Sequence, residues 1–225
     1  MSSCRWWNRR TGRPVAELRV ALTFDAEHPS RPHCPPGVTE RILSTLSAAG
    51  VRATFFLQGR WASAQPELAR SIAQGGHLIG NHSHYHARFS FLSPEGIADD
   101  LARAEETIRE VTFAEPRPWF RFPFGDGEDS PEIAEALRAA GYRHVGWHVD
   151  PNDWDDTRTA DDLEQAVREG ALAHGDGAVV LLHGWPASTA LALPVIVSKL
   201  LAEGVRLVGV DELDSLPSGT TPRPY

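Results

Sequence analysis

His82 and His86 stand four apart in the run Asn81-His82-Ser83-His84-Tyr85-His86. On a helical turn that spacing brings two imidazoles to one face, where they can share a metal ion, while His84 points elsewhere. Two neutral imidazoles plus one carboxylate make a three-ligand site with positions left open, as in catalytic rather than structural zinc. The nearest candidate carboxylates are Asp25 and Glu27. Residues two apart on an extended segment point the same way, so one can bind the ion while the other accepts a proton. A bare His-x-x-x-His pattern is common, and a histidine-rich turn explains it equally well. Its companions therefore decide.

Arg121 lies among aromatics in Trp119-Phe120-Arg121-Phe122-Pro123-Phe124-Gly125. A guanidinium fixed there can grip a carboxylate with both arms of its fork, and the Pro/Gly turn that follows can aim a backbone N–H at a developing oxyanion. His183 ends the apolar run Val179-Val180-Leu181-Leu182 and is placed to act as a general acid if Asp150 or Asp153 raises its pKa. In isolation each of these reads as an ordinary structural residue bonded to a loop.

The elements that must position them are short apolar or β-branched runs at Leu18 to Phe24, Val51 to Leu57, His77 to Gly80, Trp119 to Phe122, His144 to Val149, Ala178 to Leu182 and Val205 to Val210. Between them lie segments with helical spacing: Val38 to Ala49, Pro66 to Gln74, the stretch opened by Ser93-Pro94-Glu95 and carrying Ile97, Leu101, Ala104, Ile108 and Val111, then Pro131 to Ala140, Ala160 to Ala173 and Thr189 to Ala202. Glycines at 50, 75, 141 and 204 close helices just before the next strand. Strand and helix in alternation imply a parallel sheet with right-handed crossovers, either a β/α barrel or an open doubly wound sheet. In both, C-terminal strand ends gather on one face, and every polar cluster follows the apolar body of a strand.

The chain has 225 residues, enough for one domain with a sizeable core. Its 22 Lys plus Arg against 30 Asp plus Glu leave a formal charge of −8, which argues against nucleic-acid binding. No apolar stretch approaches the roughly 20 residues that cross a bilayer, so membrane insertion is not expected. The N-terminal arginines are followed by no apolar core of the kind export signals carry. The expected location is cytoplasmic for the chain as written, and secreted if a leader has been trimmed. Cys4 and Cys34 have no metal or redox spacing around them and read as two ordinary thiols, or one disulfide in an exported protein.

In order, these clusters resemble the motif series of the polysaccharide deacetylase family, the NodB-homology or carbohydrate esterase family 4 domain. Thr23-Phe24-Asp25 resembles the first motif, Asn81 to His86 the second and Arg121 to Gly125 the third. Asp150-Pro151-Asn152-Asp153-Trp154 and Leu181-Leu182-His183 resemble the fourth and fifth. The resemblance implies a distorted (β/α)7 barrel, here over residues 16–215, since the ends 1–15 and 216–225 read as irregular from their composition. It also implies one divalent metal ion, zinc with cobalt or nickel as alternatives, acting on N-acetylated glycans or related amides. By the same analogy Asp25 is the base, His82 and His86 are metal ligands, and Arg121 steadies Asp25. The Phe124 N–H holds the oxyanion, His183 tuned by Asp153 protonates the leaving amine, and Trp154 and Leu181 line the acetyl-methyl pocket.

One position departs from the pattern. The family usually carries a second aspartate directly after the first, and here Ala26 stands there, so Glu27 is the natural third ligand, with Asp25 as the alternative. Branches of the family with an acid one place further on include enzymes acting on non-sugar amides and cyclic imides. The readings are thus a glycan de-N-acetylase, a hydrolase of a small amide, imide or biosynthetic sugar intermediate, and an inactive glycan-binding member using Trp119, Trp147, Trp154 and Trp185.

Overall fold

The computed structural model describes residues 18–28 and 35–217. The N-terminal segment, the tail beyond Pro217, Cys4 and Cys34 lie outside the described residues.

Seven parallel strands form one sheet: β1 (Leu18–Ala26), β2 (Thr54–Leu57), β3 (Leu78–Asn81), β4 (Trp119–Phe120), β5 (Arg143–His144), β6 (Ala178–His183) and β7 (Val205–Val208). The strand order is β5-β4-β3-β2-β1-β6, with β7 paired to β1. All seven lie within or against the apolar runs read from the sequence. β1 is the organising strand. Its residues Val20 to Asp25 pair with β6 along one edge, so β7 (against Leu18 to Ala21) and β2 (against Thr23 to Ala26) share the other edge end to end.

Both faces of β1 are buried, as expected of a parallel sheet. Val20, Leu22, Phe24 and Ala26 pack outward with helix residues such as Ile42, Leu46, Leu193 and Ile196. Ala21 packs inward with Phe56, Val145, Trp147, Val179, Leu181 and Val210. The sheet therefore curls around an inner core, and the barrel reading prevails over the open sheet. The expected strand His144 to Val149 pairs with β4 only at its start; beyond it, Val149 bridges Val180, and His148 N donates to Val179 O at 2.8 Å. That crossing from β4 to β6 closes the barrel and is its distortion.

Between the strands run α1 (Val38–Ala49), α2 (Gly59–Ala64), α3 (Pro66–Gln74), α4 (Pro94–Thr112), α5 (Pro131–Ala139), α6 (Ala160–His174) and α7 (Ala187–Ala202). Ser93 caps α4 by accepting from Gly96 N, and Thr159 with Asp162 forms a capping box on α6. Gly50 closes α1 in the left-handed conformation, φ 63°. The six-residue α2 is too short to show a period and was not anticipated. Its Gly59 lies so close to His84 that a Cβ would collide with the imidazole. Among the described residues no helix is long and apolar enough to cross a membrane.

Candidate active site

Sheet register brings the chemistry together. Asp25 lies directly beside His183 in the β1–β6 pair. Ala26 is level with Leu57, Leu57 with Asn81, and Asn81 with Phe120. The residues that follow this row, Glu27, His82 and Arg121, leave the sheet at one rim. Asp25, Glu27, His82, Arg121, Asp153 and His183 are all buried there.

Arg121 is fully buried. Its Nη1 donates to Asp25 Oδ1 at 2.9 Å and to Thr23 Oγ1 at 2.8 Å. Nε and Nη2 donate to the carbonyls of Val145 and Gly146. The two-armed grip expected on the carboxylate is therefore absent: one arm holds Asp25 and the other holds backbone. The guanidinium also lies over the Phe56 ring, 4.2 Å from its centroid. Removing one partner of such a buried pair typically costs about 3–5 kcal/mol, because the other charge stays behind uncompensated.

The histidine segment is not helical. Asn81 Oδ1 accepts from Ser83 N at 2.8 Å, Ser83 Oγ accepts from His86 N at 2.8 Å, and the Asp100 carboxylate accepts from His84 N and Tyr85 N. Ser83 and His86 adopt left-handed φ of 65° and 58°, which such side-chain bonds make tenable. This loop still brings the two imidazoles together, with ring centroids 5.0 Å apart. His82 and His86 both direct Nε2 at Glu27 Oε2, His82 at 3.3 Å and His86 in a shorter contact. Asp25 Oδ2 lies 3.5 Å from His82 Nε2.

The electrostatics separate these groups. Burial works against the Glu27 carboxylate, but bonds from His28, His82 and His86 outweigh it and hold its pKa well below the ordinary range. Burial opposes protonation of His82, yet the charges of Asp25 and Glu27 raise its pKa. For His86 burial wins and the pKa is lowered, since His82 and His28 oppose what Glu27 adds. His183 is pushed up to about 9: burial opposes this, but Asp153 overcomes it by charge and by a 2.6 Å bond to Nδ1, with Glu27 and Asp25 adding to the effect. Asp153 is itself pinned, accepting from His183 N and Thr189 Oγ1. Asp150 does not compete; it caps the amide of Asn152.

The donor chemistry fits a divalent ion. His82 Nδ1 lies 2.9 Å from the Arg121 carbonyl, which requires the N–H there and leaves Nε2, facing the Glu27 and Asp25 oxygens, as the nitrogen that holds either a proton or a metal ion. Facing acceptors of this kind need a proton or a cation between them. Glu27, His28 and His86 also offer ligand atoms all within 4.8 Å of one another. Phe124 occupies a left-handed turn, φ 60°, with its ring edge-on to His86. Leu181 is fully buried one layer below His183, and Trp154 is 38 % exposed nearby in sequence to Asp153.

Sequence reasoning missed His28, Asp100 and Thr189; it named Thr23 only as part of a motif and Trp185 only as an aromatic for glycan binding. Asn81-x-Ser83 carried a readable signal, the side-chain turn that Asn favours. Thr189 carried none, because its partner is 36 residues away.

A curled parallel barrel with a carboxylate and histidine cluster at its C-terminal strand ends belongs to the class of α/β barrels that carry their site on that face. Within that class the profile of the polysaccharide deacetylase family matches residues 12–145, and the chain belongs to that family. It is 32 % identical over 195 residues to the peptidoglycan-N-acetylglucosamine deacetylase PgdA of Listeria monocytogenes, covering 87 % of this chain but only 38 % of that protein's length. A chitooligosaccharide deacetylase of Azorhizobium caulinodans is 29 % identical over 202 residues, 84 % of this chain and 90 % of the relative. Among solved structures, BA3943 of Bacillus anthracis, described as a carbohydrate esterase family 4 pseudoenzyme, superposes with a TM-score of 0.77 at 30 % identity, over 88 % of this chain and 66 % of that one.

Proposed function

We propose that this chain is a metal-dependent hydrolase that removes N-acetyl groups from an amino-sugar polymer or oligosaccharide, chitin, peptidoglycan or a related glycan. The observation that carries the reading is the side-by-side placement of Asp25 and His183, one backed by Arg121 and the other by Asp153, beside Glu27, His82 and His86. Those last three would hold one divalent ion, zinc, with cobalt or nickel as alternatives. When bound, the ion supplies electrophilic polarisation of the amide carbonyl and makes water beside it more acidic.

Asp25 is the base. Arg121 occupies its Oδ1, so Oδ2, on the His82 side, takes the proton of the attacking water. His183 is the acid: its Nδ1 is committed to Asp153, and Nε2 gives a proton to the departing nitrogen, which as an amide anion would be a very poor leaving group. The Phe124 N–H donates to the oxygen that gains charge, and Trp154 and Leu181 enclose the acetyl methyl. The test is acetate release from chitooligosaccharides and peptidoglycan fragments by zinc-loaded protein. Asp25→Asn and His183→Ala proteins that fold, keep metal and still work at the parent rate would refute it.

The Ala26 and Glu27 arrangement favours a second reading, a small amide, cyclic imide or biosynthetic sugar intermediate as substrate; cyclic imides in the same assay separate the two. An inactive glycan-binding role finds less support. Of the four tryptophans it would use, Trp147 and Trp185 are buried, and Asp25 and His183 are both in place. Metal content separates this role from the enzymes.

A further inference from the structure

Glu27 departs from the family pattern in two ways: it stands one residue later than the usual second acid, and it is one methylene longer. A longer carboxylate has more rotamers to lose, so presenting one oxygen at a fixed point needs extra restraint. The structure supplies candidates for that restraint on the oxygen facing away from the histidine pair. Oε2 faces His82 and His86, whereas Oε1 lies 2.9 Å from His28 Nε2 and 3.3 Å from Trp185 Nε1.

His28 reaches Glu27 only through an unusual backbone. Neighbouring residues on an extended strand point to opposite sides, so a continued β1 would turn His28 away from Glu27. Instead His28 has φ 57°, sparsely populated for a residue with a side chain. Gln58, buried at the end of β2, holds this turn: its Oε1 accepts from His28 N at 3.0 Å, and its own N donates to Ala26 O at 2.9 Å. The imidazole thereby folds back over the carboxylate, edge-on to His86 at 4.9 Å and to Trp185 at 6.3 Å between ring centroids. Backbone strain held by a buried side chain, at a ring that stays partly exposed, points to a task at the site.

We propose that His28, assisted by the Trp185 N–H, is a positioning residue that orients Glu27 through Oε1 so that Oε2 is presented between His82 and His86 to the ion. This rests on the metal assignment above. It also accounts for how Glu27 can stand in for an acid at position 26. Partners that hydrogen-bond a ligating carboxylate typically tune metal affinity by about 10-fold to 100-fold.

The test is zinc affinity by chelator competition for the parent, His28→Ala, His28→Gln and Trp185→Phe proteins, with circular dichroism of each metal-free protein and the visible spectrum of each cobalt-saturated protein. His28→Ala is expected to weaken zinc by about 10-fold to 100-fold, and Trp185→Phe by less. His28→Gln, whose amide can donate to the same oxygen, is expected to recover most of the loss. The cobalt bands at saturation should be unchanged in every variant, because the donor set is the same. Parent-like affinity in His28→Ala would overturn the proposal. So would a changed cobalt spectrum in that variant, which would make His28 itself a ligand. A parent protein that binds neither zinc nor cobalt would instead overturn the metal assignment, and this role with it.

Discussion

Two histidines of this site lie against carboxylates, yet their pKa values move in opposite directions. His183 is pushed up to about 9 and His86 is pushed down. Burial opposes protonation of both, so the difference lies in the company each keeps. His183 has Asp153 to itself, with Glu27 and Asp25 adding negative charge. His86 must share Glu27 with His82 and His28, whose positive charge counts against it. The ratio of carboxylates to imidazoles thus prepares one ring to carry a proton and the other to offer a lone pair.

The largest expected effects come from removing either side outright. His183→Ala should lower kcat by about 10²-fold to 10⁴-fold, the usual contribution of a general acid, with zinc content unchanged. Asp25→Asn should do the same from the base side; steady-state kinetics with metal analysis checks both. Glu27→Gln should act on the other function, weakening zinc by more than the roughly 10-fold to 100-fold typical of outer partners, as read by chelator competition. A Glu27→Gln protein that keeps zinc but loses turnover would dissolve the division between the two sides.

Asp153→Asn is a smaller intervention. The amide can still accept from His183 N and Thr189, but the charge that favours the imidazolium is gone. The expected loss in kcat is about 10-fold or more, short of that for His183→Ala, with KM and zinc affinity near parent values.

The smallest effect sharpens the comparison with a histidine that has no carboxylate. His148 stacks on His174 at 3.7 Å, and burial followed by the His174 charge lowers its pKa to about 4. Between the ordinary 6.5 and about 4 the unfolded chain binds more protons than the folded one, so stability is present above 6.5 and falls as pH drops through that window. The ring is partly exposed, so the loss should be about 1 kcal/mol or less. Denaturant melts of the parent and His148→Gln at pH 7 and pH 4.5 should show it as a smaller pH dependence in the variant.

Much of the scaffold was legible. Helix starts at Pro66, Pro94 and Pro131 and stops at Gly50 and Gly204 follow from local rules of capping and proline placement. The apolar runs located β1, β2 and β6 because strands buried on both faces must be apolar, whereas β5, Arg143–His144, is neither apolar nor buried and only touches the run that marked it. Where long-range contacts intervene, legibility fails. The histidine run reads as a helical turn by spacing alone, but Asp100, from α4, captures the amides of His84 and Tyr85 and makes it a loop. Arg121 reads as a two-armed clamp, but carbonyls at Val145 and Gly146 take one arm.

The amino-acid sequence by itself determined the alternation of strand and helix, the polar residues at strand ends, and the offset acid at Glu27 beside Ala26. These are properties of segments, set by periodicity and by what each side chain can do. Only the tertiary structure decided that the sheet closes through Val149 and Val180, that Asp153 rather than Asp150 serves His183, and that His28 turns back onto Glu27. Those outcomes depend on register between strands far apart in the chain and on competition for buried hydrogen bonds, which a local pattern does not record.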